Sequence, residues 1–558
     1  MTTIEIPYLV VGAGPVGLMA GILLGRQGLK TLIVDRDPGS QTSPAAHVVN
    51  ARTFEICRQA GLDMEAIERW CKTPEDAGHA IFMTRLNDQE IGRLPFEQQG
   101  PECLEHTPTP LRNLSQHRFE SLLESEINRT QETEIRYRHQ WEDGEQNSNG
   151  VISQVRDLET GETLEIRSRY LIAADGAGSR IRKSLGIEML GPPKLQSFLM
   201  IHAETDLRTL VQDRPAVLYW LMDPEVGGVL VAHDIDREWV YMYEIDSDQE
   251  SLEDYDEARC RTLFMRAIGE EHPLKIQNRL TWTMSAQTAS KLRDERIFLV
   301  GDAAHRFPPT GGLGLNTGVQ DIHALAWRLA AIQKGWAEST LLESYETERL
   351  PVALNNAEQS LMNAGKLLAI PLALETLEDR TTARMEATLA SAKGRSRVEQ
   401  AIAQQAEHFD MLGLQLGYHY KSRAVIPDGH PAPTVENPVR EYIASARPGA
   451  RLPHGWLNRE GEEISSLDLV LSDGLTLFTG AEASAWHEAI EACAPRPIRL
   501  IRIGEDVADP QTTWLQTCGV APEGALLVRP DQHVAWRSRS RPENPTTALQ
   551  HAVQQILS

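Results

Sequence analysis

Residues 4–35 read Ile4-Glu-Ile-Pro-Tyr-Leu-Val-Val-Gly12-Ala-Gly14-Pro15-Val16-Gly17-Leu-Met-Ala-Gly-Ile-Leu-Leu-Gly-Arg-Gln-Gly-Leu-Lys-Thr-Leu-Ile-Val-Asp35. The apolar run 4–11 predicts a buried strand, the glycines a turn, 15–27 a helix, and 31–34 a second strand ending at Asp35. Gly12 permits the tight turn, Gly14 lets backbone approach a pyrophosphate, and Gly17 lets helix pack closely on sheet. Pro15 and Val16 open a helix whose free N–H groups would receive the phosphate charge. Asp35 lies 23 residues after Gly12, where a carboxylate would bind an adenosine ribose diol. Strand, helix and terminal acid in register make this a dinucleotide site and not merely a glycine turn.

The surrounding composition is that of an ordinary globular chain. Of 558 residues 41% are apolar and 24% charged, and 79 acidic against 55 basic residues leave a formal charge of -24. An acidic surface repels phosphate backbones and anionic lipid, so neither nucleic acid nor a membrane is expected as partner. Six cysteines without a CxxC pair or metal-ligand spacing point to reduced thiols in a cytoplasmic protein with no metal. The uncharged run Tyr8–Leu24 has the length of a membrane span, but its five glycine and proline interruptions suit strand, turn and helix better.

Further along, helical periodicity marks 50–60 and 115–127, and Arg169–Ala174 is a short apolar strand running into Asp175-Gly176. Four strand-like runs, Gln196–Glu204, Ala216–Met222, Gly228–His233 and Trp239–Glu244, predict a mostly antiparallel sheet. Arg296–Val300 restores the buried-strand pattern before a long helix from about Asn316 to Lys334. Residues 340–410 are predominantly helical, and Pro/Gly clustering near 426–433 marks a linker.

Two later segments separate FAD from NAD as the bound dinucleotide. Asp175-Gly-Ala-Gly-Ser-Arg180 closes one strand, and Gly301-Asp302-Ala-Ala-His305 closes another before Arg-Phe-Pro-Pro309-Thr-Gly-Gly312-Leu-Gly314-Leu315-Asn316. With the first motif they resemble the three-part FAD signature of the single-component, class A flavin-dependent aromatic hydroxylases. Ala46–Glu55, Arg214–Trp220, Leu342–Arg349 and Pro448–Trp456 resemble the phenol and 2,4-dichlorophenol hydroxylase branch. The resemblance implies an α/β fold in which a Rossmann-like, glutathione-reductase-type FAD domain carries an inserted, mostly antiparallel substrate sheet and a C-terminal thioredoxin-like domain. The expected boundaries are 1–190 and 285–345 for the discontinuous FAD domain and 191–284 for the substrate sheet. A helical section and linker take 346–434, and the thioredoxin-like domain takes 435–558. Cys493 and Cys518, 25 residues apart, offer no dithiol pair, so that domain is expected to make dimer contacts or simply stabilise the chain.

The same resemblance implies FAD as cofactor, NADH or NADPH as co-substrate, and O2. The activity it implies is hydroxylation of a phenolic ring, ortho to a hydroxyl, through a flavin C4a-hydroperoxide. Asp302 matches the acid on the ribityl chain, and Pro309, Gly312 and Gly314 a loop against the isoalloxazine. Leu315 and Asn316 would open a helix whose positive end favours the reduced anionic flavin. Asp175 matches an acid near FAD and nicotinamide, and Gln116 a contact of the ribityl–phosphate region. The family often has arginine where Pro44 is followed by Ala45 here, so Arg36 or Arg52 is expected to supply that charge.

Because a phenolate attacks far better than a phenol, a base near the ring hydroxyl is required. His47 is the candidate, with packing against the flavin as its alternative reading. Alternation in Val217–Leu221 puts Val217, Tyr219 and Leu221 on one face, and Tyr219 is the candidate hydroxyl for a substrate oxygen. His233, Tyr241 and Tyr243 lie on neighbouring strands. The alternative activity on the same scaffold is Baeyer–Villiger or epoxidising oxygen insertion into a polyketide-like or polycyclic substrate. A flavin-dependent halogenase is disfavoured because Trp282-Thr-Met-Ser departs from its WxWxIP motif, and a flavin-binding module without turnover is the third alternative.

Overall fold

The structure is a computed structural model describing residues 2–558. Its first sheet is built on a parallel core ordered Ile297–Leu299, Thr163–Ala173, Thr2–Val11, Thr31–Val34, Thr133–Arg136. Tyr8, Leu9, Val10 and Ile33 have no exposed surface, as a parallel strand covered on both faces requires. The helix Pro15–Arg26 starts on the glycine turn, and two glycines there are dictated by space. A Cβ on Gly17 would lie 1.8 Å from the Gly12 carbonyl oxygen, and one on Gly12 would lie 2.2 Å from that of Ala174. An antiparallel hairpin, His139–Asn147 with Gly150–Asp157, extends this sheet along Thr163–Ala173.

The second sheet has seven strands, ordered Lys275–Met284, Gln196–Glu204, Glu238–Ile245, Val229–Asp234, Leu218–Leu221, His79–Met83, Glu90–Pro95. All four runs expected between 196 and 244 are strands of it. Its last two strands come from residues 79–95, which had been assigned to the FAD-binding part of the chain. His79–Met83 pairs in parallel with Leu218–Leu221, a long-range pairing that no local pattern announces. One face carries Tyr219, Leu221, Trp239 and Tyr241 and packs against the helix Glu257–Ile268. The opposite face carries Leu218, Trp220, Val229, Val231 and Val240 and packs against the helical stretch through Ile370, Leu374, Met385, Val398 and Ile402. Val217, just before its strand, joins Leu218 in this second layer and not Tyr219 as alternation predicted.

The C-terminal unit holds a four-stranded sheet ordered Ile498–Arg502, Leu475–Thr479, Ala525–Val528, Val534–Ser538, the first pair parallel and the others antiparallel. Its helices Ser484–Glu491 and Pro545–Leu557 share a core with Trp327 and Ala331 of the helix Leu313–Gln333. Buried ion pairs reinforce the junction: Arg529 with Glu348 and Asp531, and Arg451 with Glu55. Cys493 and Cys518 are buried free thiols. Among the described residues no helix is long and apolar enough to cross a membrane.

Candidate active site

Three motif loops leave the same ends of adjacent parallel strands, where open α/β sheets present their ligand crevice. A Cβ on Gly12 would touch the Ala174–Asp175 backbone, and one on Gly301 would lie 3.1 Å from Val16 Cγ2. The three stretches far apart in sequence therefore form one wall. Gly14, half-buried at the N-cap of the helix Pro15–Arg26, has no neighbour within 4 Å of where a Cβ would stand, and no side chain caps that helix. Gly314 is open in the same way at the start of Leu313–Gln333, whose N-cap Gly312 has a φ of 62°. These two helix ends leave donors and room together, the cradle a dinucleotide needs.

The acids divide by what they hold. Asp302, exposed at the end of its strand, makes no protein hydrogen bond, and desolvation by the surrounding protein raises its carboxyl above the ordinary range, His305 and Arg306 opposing. Asp35 accepts from the Ala13 N–H at 2.5 Å and the Asp37 N–H at 2.8 Å, which fixes the turn and leaves a lone pair on each oxygen for a diol. Asp175 accepts from Ser179 Oγ at 2.6 Å and from the Ile181 N–H at 3.2 Å, and burial raises it as well. Gln116 stands beside the 41–46 loop: its N–H donates to the Ala46 carbonyl at 2.7 Å and its Nε2 to Glu120 at 2.8 Å. Pro309 is exposed beside the half-buried Gly311-Gly312 turn, and Pro15, Val16 and Leu315 are half-buried along the wall.

Asn316 stands in the first turn of the helix Leu313–Gln333, at the helix end where it was expected. Its Oδ1 accepts from the Asn50 N–H at 2.9 Å and Thr53 Oγ1 at 2.8 Å; its Nδ2 donates to the Val48 and Gly312 carbonyls at 2.9 and 2.7 Å. All four hydrogen-bonding positions of the amide are spent, so the side chain fastens the His47–Asn50 segment to this helix. The two arginines offered for the missing charge at Ala45 stand elsewhere. Arg52 is fully buried and bonds Glu55 Oε2 at 2.9 Å, Gln532 Oε1 at 2.6 Å and the Asp531 carbonyl at 2.8 Å, tying the helix Ala51–Gln59 to the C-terminal unit. Arg36 is exposed beside Asp37. The cations at the wall are Arg182, bonded to the Ala303 carbonyl at 3.3 Å, and Arg306, bonded to that of Ala177. Arg306 lies inside the quoted Gly301–Asn316 segment, and the signal was its place four residues after Asp302.

His47 sits where the 41–47 loop meets the Trp220 face of the second sheet. Its Nδ1 donates to Asn113 Oδ1 at 2.8 Å, so Nε2 keeps its lone pair. Burial holds its imidazole below the usual histidine range, the Asn113 bond opposing. Phe96 stacks on it at 6.3 Å, and His233 meets it edge-on at 5.5 Å. Asn113 Nδ2 and Trp220 Nε1 are buried on this side without a partner. Tyr219 is not part of the site. It lies on the opposite face, fully buried, its hydroxyl donating to the Arg214 carbonyl at 2.9 Å. Strand alternation decides this: Trp220, one residue on, points toward His47's side. Tyr241 likewise donates to the Val226 and Gly227 carbonyls. Of these residues only His233 is named from the sequence, as lying on a strand next to that of Tyr219; Asn113 and Ser115 are not, since nothing local relates them to His47.

An FAD binding domain family matches residues 5–360, and an aromatic-ring hydroxylase C-terminal family matches residues 445–558. The chain belongs to the flavin-dependent aromatic-ring hydroxylases. It is an FAD-dependent monooxygenase, with O2 and NAD(P)H as co-substrates. A 2,4-dichlorophenol 6-monooxygenase of Cupriavidus pinatubonensis is 33% identical, over 100% of this chain and 97% of the relative. Tetracenomycin A2 monooxygenase-dioxygenase of Streptomyces glaucescens is 32% identical, over 100% and 98%. Among solved structures, the flavin-dependent monooxygenase PieE in complex with FAD and substrate superposes with a TM-score of 0.92 at 32% identity, over 100% of both chains. The residues of the crevice fit FAD: open glycines at two helix ends, an unpaired Asp302, and a half-engaged Asp35.

Proposed function

We propose that this monooxygenase hydroxylates a phenolic ring ortho to an existing hydroxyl. One observation carries the reading: His47 presents a free Nε2 on an apolar sheet face while its loop is bonded through Asn316 to the helix that opens the flavin loop. A base is thereby held at a fixed position relative to both cofactor and ring. Gly12, Gly14 and the N-terminus of Pro15–Arg26 would receive the pyrophosphate, Asp35 the ribose, Asp302 the ribityl hydroxyls, and Gly314 with Leu315 the flavin edge. Gln116 would bind near the ribityl–phosphate region, and Asp175 with Arg306 near the nicotinamide. FAD, when bound, supplies the redox chemistry, taking hydride from NAD(P)H and activating O2. The chain's own residues bind the ring in the Trp220 layer, exclude water with Phe96, Phe409 and Ile370, and move the hydroxyl proton to His47 Nε2.

The FAD part is read as Rossmann-like and the C-terminal unit as thioredoxin-like, the latter supported by its order of one parallel and two antiparallel strand pairs. Two buried thiols give that unit no redox role, and dimer contacts or stabilisation remain its assignment. A second substrate reading, a polyketide-like or polycyclic compound, is supported by relatives named as putative polyketide hydroxylases. Incubating the FAD-loaded chain with NAD(P)H and a panel of phenols, chlorophenols, resorcinols, bicyclic phenols and polycyclic ketones and quinones separates the two. Product mass and NMR showing a new hydroxyl ortho to the first supports the phenolic reading. A product formed only from polycyclic ketones or quinones overturns it.

A further inference from the structure

His233 occupies the position where the pairing of Val229–Asp234 with Glu238–Ile245 slips, between Ala232 and Asp234. A bulge adds a residue and re-aims a side chain, and here it turns an imidazole toward the His47 side. Its Nδ1 lies 2.7 Å from Ser115 Oγ. Ser115 is the N-cap of the helix Gln116–Ile127, yet its side chain makes no capping bond. A serine there ordinarily contributes about 1 kcal/mol by capping, so its hydroxyl has been diverted from the helix to the histidine. The Asn113 amide fixes His47 in the same way, through Nδ1. Two rings 5.5 Å apart and nearly perpendicular thus leave both Nε2 atoms without a protein partner.

A Ser115 hydroxyl that donates to Nδ1 leaves the His233 proton on Nε2. Burial first, and then His47, His117, His202 and Lys72, hold its imidazole below the usual histidine range and so favour the neutral form. Glu238 lies between His117 and His202, at 3.7 and 3.4 Å, and Asp234 is paired with Lys72 at 2.9 Å, so the nearby carboxylates are engaged elsewhere.

We infer that His233 donates its Nε2–H to the ring oxygen whose proton His47 accepts, so that one imidazole removes the proton and the other holds the phenolate. The O–H bond breaks, the proton moves to His47 Nε2, and the oxygen's negative charge is met by the His233 N–H. The step involves no electron transfer. This rests on the phenolic reading and names a catalytic residue for it.

The test uses the FAD-loaded full chain and 4-nitrophenol, whose visible absorbance reports its ionisation in the site. In the wild type the bound phenol should ionise more readily than in water. His233→Leu, which has no donor, should raise its apparent pKa by about one unit, a tenfold loss of phenolate at fixed pH. His233→Asn, which keeps an N–H, should retain most of the wild-type ionisation, and Ser115→Ala should fall between. Unchanged flavin absorbance would show that each variant still holds its cofactor. Wild-type ionisation in His233→Leu overturns the inference alone. Failure of the wild type to bind 4-nitrophenol overturns the phenolic reading and the inference together.

Discussion

The two faces of the seven-stranded sheet are built from alternate residues of the same strands, yet they treat polar groups in opposite ways. On the Tyr219 face, Tyr219 and Tyr241 donate to backbone carbonyls and Trp239 Nε1 to the Ile235 carbonyl. On the Trp220 face, Trp220 Nε1, His408 Nδ1, His202 Nδ1 and Asn113 Nδ2 are buried without partners. A buried polar group left unmatched costs about 1–3 kcal/mol, so one face is finished as protein structure while the other keeps polar atoms that a ligand could satisfy. The lesson is that a hydroxyl on a pocket-forming strand indicates nothing until its partner is known.

Substitutions on the two faces should therefore differ in kind. The largest effect is expected for His47→Gln, which should lower kcat by about 10²–10⁴-fold and flatten the acid limb of the pH–rate profile, with FAD binding unchanged. Full turnover with an unaltered profile would return His47 to a packing role. Asp302 extends the rule beyond the sheet, because its carboxylate is unpaired where Asn316 is saturated. Asp302→Asn should weaken FAD binding by about tenfold to a hundredfold, the worth of a charge-assisted bond, in a fluorescence titration of the stripped protein.

Acidity offers a third contrast. Burial lowers His47 and His233, and takes His408 down to about 3. Below the ordinary value of 6.5 the unfolded chain binds protons that these groups refuse in the native state, so stability should fall as pH drops and level off above that value. Each such group contributes a slope of about 1.4 kcal/mol per pH unit within its window. Glu97, pushed up to about 8 by burial, acts in the opposite sense between 4.5 and 8. Urea melts of wild type and His408→Gln between pH 5 and 7 should therefore diverge, the variant showing the smaller acid loss. The smallest effect is expected for Tyr219→Phe, about 1 kcal/mol of stability with kcat unchanged. A tenfold fall in its kcat at wild-type stability would break the distinction between the faces.

What could be read before folding was whatever a local pattern encodes. The glycine turn, its helix and Asp35 fall in one βαβ unit, and the Asp175 and Asp302 segments each end a strand, so the crevice was legible almost residue by residue. The four strands between 196 and 244 were legible for the same reason. The strands 79–95 were not, since their membership depends on a parallel pairing with Leu218–Leu221. Tyr219 was misplaced because alternation names two faces without saying which one meets His47. Arg52 was misread through burial: it carries chemistry suited to a cofactor, but a partner as remote as Gln532 consumes it. His233 and Ser115 lie 118 residues apart, and no local pattern joins the bulge to the helix cap.

The account's central claim is that the Trp220 face, His47 and FAD together form a hydroxylating site. Its most direct test is to measure NADH and NADPH oxidation by the FAD-loaded chain with and without a phenol, quantifying hydroxylated product in the same reaction. The expected result is phenol-stimulated oxidation with one hydroxylated product per nicotinamide consumed. Oxidation that no phenol stimulates, or that yields no hydroxylated product, would contradict the claim.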